Sequence, residues 1–164
     1  MMVGLAPKTI QIFDAITKLE CIKPFVLVGG TALSLQLGTR QSEDLDFMRW
    51  KQGPKPIAYR NNLRIADVKT IGVLKMEVLL RRAKFRDYYD LYSILKSGVD
   101  IHEMIPMALE HSDHKLKSKN LLSMITNGEV FKKDQAFSQL NPIYDVTSND
   151  IQEYIKQKLL EEKK

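Results

Sequence analysis

The spacing of apolar positions divides the chain into a mixed first part and a helical second part. Apolar residues recur every three or four positions over residues 8–20, which is typical of an amphipathic helix. A continuous apolar run at residues 25–28 predicts a short buried strand, and helical spacing returns at residues 31–37. A second strand is predicted at residues 44–48, where acidic and apolar residues alternate.

From Asp67 onward the pattern is helical. Asp67 is a predicted N-cap, and further helices are predicted at residues 86–96, closed by Gly98, and at residues 100–110, 115–125 and 149–161. One short or irregular strand is predicted within residues 57–65, and residues 128–145 have no clear assignment. We therefore expect an α+β fold, with a small β-sheet flanked by helices in residues 1–66. We expect residues 67–164 to form a helical region that packs on this core as one compact unit.

The chemistry suggested by the first part centres on two glycines and two carboxylates. Gly29 and Gly30 lie between a predicted strand and a predicted helix, where a glycine backbone can approach an anion and a helix start supplies N–H groups. Asp44 and Asp46 are two residues apart in a predicted strand, so their side chains share one face. A phosphate-binding turn next to a carboxylate pair indicates metal-assisted phosphoryl or nucleotidyl transfer.

Each of these features also has a simpler interpretation. The carboxylate pair is compatible with a solvent-facing edge strand, and the glycines with a tight turn capped by Thr31 that binds nothing. Arg40 could brace the site, contact a phosphate, or form a local pair with Glu43 or Asp44. Spacing alone does not choose between these interpretations.

Basic and acidic residues alternate with apolar ones between residues 75 and 90. Lys75 interrupts an apolar helical stripe and shares a helix face with Arg82, which suggests a cation aimed at phosphates or a lysine that snorkels over apolar surface. Asp87 and Asp90 are three apart, so they lie on one side of the next helix. The positive helix start alone would favour such carboxylates.

The composition limits the cellular compartment in which we expect the protein. The chain has 164 residues, a formal charge of +5 and one cysteine, so an internal disulfide is excluded. Its first residues do not have the pattern of a signal peptide, and no apolar run approaches the roughly 20 residues that cross a bilayer. We expect a cytoplasmic protein without membrane association.

Four segments together resemble the AbiEii/AbiGii-type nucleotidyltransferase toxins of bacterial toxin–antitoxin systems. They are GGTAL at residues 29–33, RQSEDLDF at 40–47, VLKMEVLLRR at 73–82 and FRDYYDLY at 85–92. The resemblance implies a nucleotidyltransferase that moves a nucleoside monophosphate from a nucleoside triphosphate to an acceptor hydroxyl. It also implies Mg²⁺, an RNA acceptor such as tRNA, and a cognate antitoxin protein as partner.

The resemblance assigns roles to individual residues. Asp44 and Asp46 would hold the metal, and nucleotide-binding residues would be Gly29, Gly30, Thr31, Arg40 and Lys75. The catalytic set would be Asp44, Asp46, Lys75 and Asp87, with Asp87 orienting Lys75 or Arg82, or acting as a base. Because residues 49–66 contain no acidic residue that could serve as a third carboxylate, a catalytically silent nucleotide-binding scaffold is the alternative.

Overall fold

The structure is a computed structural model that describes residues 4–51, 53–113 and 115–162. Its strands are β1 (Phe25–Val28), β2 (Asp46–Arg49), β3 (Ile57–Arg60) and β4 (Leu63–Ile65). Its α-helices are α1 (Pro7–Thr17), α2 (Gly29–Leu37), α3 (Val68–Arg81), α4 (Phe85–Lys96), α5 (Ile101–His111), α6 (Ser118–Ile125), α7 (Gln135–Ser138) and α8 (Ser148–Leu160). The predicted α+β class is confirmed.

The four strands form one mixed sheet in the order β2-β1-β4-β3. The inner strand β1 pairs antiparallel with β2 and parallel with β4, and its Val26 and Leu27 are fully buried. This burial on both sides explains why the strand appears in the sequence as a continuous apolar run. The pairing of β1 with β2 ends where Val28 lies opposite Asp46.

Two strand predictions need correction. The strand predicted at residues 44–48 begins at Asp46, so Asp44 lies in the preceding loop, because β1 ends at Val28 and offers no partner beyond it. The single strand expected within residues 57–65 is an antiparallel hairpin of β3 and β4. Its turn contains Asn61 at φ +51°, a left-handed conformation that asparagine tolerates better than most residues.

The helical predictions hold with small shifts at the ends. The helix predicted at residues 31–37 begins earlier, at Gly29. Asp67 accepts a hydrogen bond from the Thr70 N–H at 2.7 Å, as expected of an N-cap, and Gly98 follows α4 with φ +101°. The unassigned stretch contains α7, whose start is capped by the Asp134 side chain.

The chain divides into two compact units. The first comprises the chain up to Ile71 together with Leu140–Ile143, and the second comprises Gly72–Gln139 and the chain from Tyr144 onward. The first unit contains the sheet with α1 and α2.

Helix α4 forms the centre of the second unit. Nearly all of its residues are buried, and Tyr88 stacks on Phe131 with ring centroids 4.2 Å apart. The Tyr88 hydroxyl donates to the Ile125 carbonyl at 2.7 Å, and burial raises the pKa of this phenol. Within the described ranges, no helix combines the length and apolar character that crossing a membrane requires.

Candidate active site

The first group of candidate residues lies at the turn where β1 leads into α2. Gly29 has φ +71°, and a Cβ built there would lie 3.0 Å from Asp46 Oδ2. A larger residue would therefore be strained and would crowd the carboxylate. Because Val28 pairs with Asp46, the sheet register itself places the Asp46 carboxylate beside the first backbone atoms of α2.

Gly30 makes room for a protein side chain. A Cβ at this position would collide with the guanidinium group of Arg40 and lie 3.3 Å from Ser42 Oγ. Arg40 is only 4% exposed, and its guanidinium donates to the Gln41 carbonyl at 2.8 Å. This geometry is compatible with the bracing role considered for Arg40.

Thr31 fixes the loop that carries Asp44. Its hydroxyl donates to the Asp44 carbonyl and lies 2.9 Å from Ser42 Oγ, and the residue is almost completely buried. The N-cap of α2 is Val28, without a side-chain hydrogen bond, so the interpretation of Thr31 as a cap is wrong. Since the hydroxyl is used inside the protein, a phosphate contact by Thr31 would have to come from its backbone N–H.

Asp44 and Asp46 are both exposed, whereas Leu45 and Phe47 are partly buried. The alternation expected of a shared face is therefore present, although only Asp46 is inside the strand. β2 is also an edge strand, as the simpler interpretation required.

The carboxylate pair fits magnesium in its donor chemistry. Mg²⁺ is usually held by one or two carboxylates, with waters and substrate phosphates as its other ligands. Asp44 and Asp46 supply that number of carboxylates, and the Asp46 carboxylate lies beside the start of α2. In the described part of the chain, no group of three or more His, Cys, Asp or Glu residues is arranged to hold a metal.

A second group of candidate residues, in the second unit, is a buried charge cluster on α3 and α4. Lys75 is 5% exposed, and its ammonium lies 2.6 Å from Asp87 Oδ1 and 2.8 Å from Asp90 Oδ2. Lysine and aspartate are rarely this buried unless they are paired. A snorkelling lysine would place its ammonium in water, so that interpretation of Lys75 is wrong.

Asp87 joins the cluster to Arg82. Its side chain is fully buried, and Oδ2 accepts from Arg82 Nε at 2.9 Å while Oδ1 is bound to Lys75. Arg82 lies one residue past the end of α3, and its side chain and that of Lys75 both bind Asp87. Asp87 and Asp90 lie on one side of their helix, where both contact Lys75. The helix start alone does not explain a carboxylate that holds two cations.

The predicted site residues thus fall into two groups. The first unit brings together Gly29, Gly30, Arg40 and Asp46, with Thr31 holding the Asp44 loop. The second unit brings together Lys75 and Asp87. The sequence interpretation gave Asp90 no role, although its spacing from Asp87 was the available signal.

Comparison with known proteins identifies the family of the chain. A family model described as "Nucleotidyl transferase AbiEii toxin, Type IV TA system" matches residues 12–64 and residues 55–164. This chain belongs to the AbiEii nucleotidyl transferase toxin family. No curated protein and no solved structure matches it.

The AbiEii match contains both groups of candidate residues. Its first segment includes the glycine turn and the carboxylate pair, and its second includes Lys75 and Asp87. The two segments overlap at residues 55–64, where the β3–β4 hairpin lies. Membership supports a nucleotidyltransferase toxin of a toxin–antitoxin system, which implies a nucleotide substrate and a cognate antitoxin.

Proposed function

We propose that this AbiEii-family protein transfers a nucleoside monophosphate from a nucleoside triphosphate to the hydroxyl of an RNA acceptor, with Mg²⁺ bound by Asp44 and Asp46. The observation that carries the proposal is the Asp46 carboxylate beside Gly29, at the start of α2. A carboxylate at this position can bind a cation that also binds phosphate. The adjacent helix start favours the phosphate itself.

The residues of the first unit bind and orient the triphosphate. The first N–H groups of a helix have no partners within the helix, so those at Gly29, Gly30 and Thr31 can donate to phosphate oxygens. Magnesium, when bound, neutralises charge that develops on the phosphates during transfer. Arg40 acts on this turn indirectly, through its contact with Gly30.

The transfer itself exchanges one phosphorus–oxygen bond for another. The acceptor hydroxyl oxygen forms a bond to the α-phosphorus, and the bond from this phosphorus to the bridging oxygen of the departing pyrophosphate breaks. The acceptor proton passes to solvent, and no oxidant or reductant is needed. Positioning and charge stabilisation therefore account for most of the catalysis, as in other phosphoryl transfers.

In the second unit, Lys75 is the proposed phosphate-binding cation and Asp87 orients it. Both oxygens of Asp87 accept hydrogen bonds from cations, and the side chain has no exposed surface. These contacts support the orienting role over that of a base toward an acceptor hydroxyl. A base must reach the proton that it removes.

The RNA acceptor is supported by the basic segment at residues 81–86. Arg81, Arg82 and Lys84 are exposed there, and cationic side chains on a surface attract a phosphate backbone. A cognate antitoxin protein is the further partner that we propose from the family.

A catalytically silent nucleotide-binding scaffold is the second candidate. It is favoured by the lack of a third clustered acidic or metal-binding residue in the described residues, together with the absence of any acid from residues 49–66. Such a scaffold would bind the triphosphate at the same turn without transferring a nucleotide.

The test is incorporation of label into bulk tRNA from nucleoside triphosphates that carry it on the α-phosphate. Each of the four nucleoside triphosphates is supplied in turn. We expect label in RNA from at least one triphosphate, dependent on Mg²⁺. The variant Asp46→Asn should reduce the rate at least 100-fold, because an amide is a poor magnesium ligand and loses the charge that neutralises the cation.

The matched control is Asp145→Asn, which makes the same chemical change at an exposed residue in the second unit. It should keep wild-type incorporation. Label that appears equally with Asp46→Asn would refute the metal assignment. Binding of triphosphate without any incorporation would favour the silent scaffold.

A further inference from the structure

A short segment from late in the chain belongs to the first unit. Leu140–Ile143, called the strap below, is hydrogen-bonded to residues 39–41. The Gln41 N–H donates to the Leu140 carbonyl at 2.6 Å, and the Ile143 N–H donates to the Thr39 carbonyl at 3.0 Å. The Asn141 side-chain amide adds a third contact, to Gln41 Oε1 at 3.0 Å.

These contacts lie on both sides of Arg40. Residues 39–41 form no helix or strand of their own, so the position of their backbone depends on partners elsewhere. Arg40 in turn packs its buried guanidinium against Gly30 and donates to the Gln41 carbonyl. The strap therefore holds the two residues that flank a buried cation.

The strap acts through its backbone more than through buried apolar surface at its end. The Ile143 side chain is 62% exposed, while the Ile143 N–H is bonded to Thr39. Asn141 has φ +49°, a conformation that costs most residues about 1 kcal/mol or more but suits asparagine and glycine. The segment is thus shaped to present its N–H and carbonyl groups to residues 39 and 41.

We propose that the strap is a positioning element for the nucleotide-binding turn. By holding residues 39–41 it fixes the Arg40 guanidinium against Gly30, and this fixes the start of α2 beside Asp46. The inference rests on the proposed function, since it assigns the strap to the turn that binds the triphosphate. The strap itself touches no reacting atom.

The first test compares Ile143→Pro with Ile143→Ala. Proline removes the N–H that binds Thr39, whereas alanine keeps it and changes only an exposed side chain. For Ile143→Pro we expect the Kd for a magnesium complex of a non-hydrolysable α,β-methylene triphosphate to rise about fivefold, the loss equivalent to one hydrogen bond. KM should rise by the same factor while kcat changes less than about twofold.

Ile143→Ala should keep the wild-type Kd, KM and kcat. A strap that served only folding would behave differently under Ile143→Pro. The fraction of active protein, and so the apparent kcat, would fall, but the Kd and KM of the folded molecules would stay at their wild-type values.

A second pair of variants decides the matter if Ile143→Pro does not fold. Asn141→Ala loses the amide and places alanine at φ +49°, whereas Asn141→Gly loses the same amide without backbone strain. We expect KM to rise about threefold in Asn141→Ala and to return toward the wild-type value in Asn141→Gly.

Wild-type Kd and KM in both Ile143→Pro and Asn141→Ala would overturn the strap proposal while leaving the proposed function intact. Failure of the unmodified protein to bind any of the four triphosphates is a different outcome. It would refute the proposed function, and the strap's role at a nucleotide site with it.

Discussion

At the scale of single residues, each of the two glycines allows a different side chain to approach the backbone closely. Gly29 accommodates a carboxylate and a left-handed backbone, and Gly30 accommodates a guanidinium. A Gly-Gly pair in sequence suggests one task, which is backbone access to a phosphate. The structure shows that Gly30 would be required even by the protein's own packing, so a loss of activity on its replacement would not by itself demonstrate phosphate contact.

The effect of Gly30→Ala on the free energy of unfolding should depend on which residue is at position 40. In the unmodified protein we expect the substitution to lower the free energy of unfolding by about 1–3 kcal/mol, because the new Cβ meets the buried Arg40 guanidinium. In an Arg40→Ala background the clash is gone, and alanine is favoured over glycine in a helix by up to about 1 kcal/mol. There the same change should be neutral or stabilising.

Urea unfolding of the four proteins in this cycle measures the coupling between positions 30 and 40. Strict additivity of the two changes would contradict the packing explanation for Gly30. The Ser42 contact is common to both backgrounds, so it does not alter the comparison.

At the scale of secondary-structure elements, α3 and α4 are joined by charge as well as by apolar packing. Lys75 on α3 bonds to Asp87 and Asp90, one turn apart on α4. The sequence of α4 would suggest a polar surface at these positions, yet both aspartates are buried. The Lys75 ammonium, supplied by the neighbouring helix, offsets part of the cost of burying these two charges.

Lys75→Met should therefore destabilise the protein as well as impair nucleotide transfer. Removal of the ammonium takes away a cation that both buried aspartates contact, while Asp87 keeps Arg82. We expect the free energy of unfolding to fall by about 3–5 kcal/mol. Adding Asp90→Asn should recover part of this loss, because it removes a buried negative charge, whereas Asp90→Asn alone should destabilise.

Chemical denaturation of the single and double variants measures these effects. A Lys75→Met protein within about 1 kcal/mol of the wild type would contradict the ion-pair account. The same measurement is needed to interpret the activity assay, because a transfer defect in a Lys75 variant is informative only at a temperature where the variant is folded.

The elements also show which signals in the sequence carry structural information. β1 was predicted with its observed ends because a strand that is buried on both faces has a continuous apolar run. The start of β2 was predicted two residues early, because it is set by where β1 ends and not by alternation in its own residues. The β3–β4 hairpin was missed because its turn at residues 61–62 contains asparagines and no glycine.

The candidate site was predictable to a similar extent. Short motifs in the sequence pointed to the glycine turn, the carboxylates and Lys75. This was possible because the residues of each motif are only a few positions apart in sequence. The strap had no such signal. Its Asn141 amide meets Gln41 across 100 positions in sequence, and its other contacts are backbone hydrogen bonds, which leave no pattern of side chains to detect.

At the scale of the whole molecule, a measurement of thermal stability detects ligand binding whether or not the protein turns the ligand over. Any ligand that binds only the folded chain raises the free energy of unfolding, by about 2.7 kcal/mol at a concentration of 100 Kd. For a protein of this size, 1 kcal/mol corresponds to about 2–4 °C in Tm. Saturating triphosphate with Mg²⁺ should therefore raise Tm by roughly 5–10 °C.

The dependence of this shift on metal and on Asp46 tests the carboxylate site as a binding site, whether or not transfer follows. We expect little shift with triphosphate in the presence of EDTA, and little with Mg²⁺ alone, because metal and phosphate oxygens complete each other's coordination at the glycine turn. Asp46→Asn should lose most of the shift, and Asp145→Asn should keep it. A full shift in EDTA would instead place the binding energy in the helix start and the basic side chains. In that case Asp44 and Asp46 would be exposed carboxylates on an edge strand and the loop before it, and the chain would bind nucleotide without the metal that transfer requires.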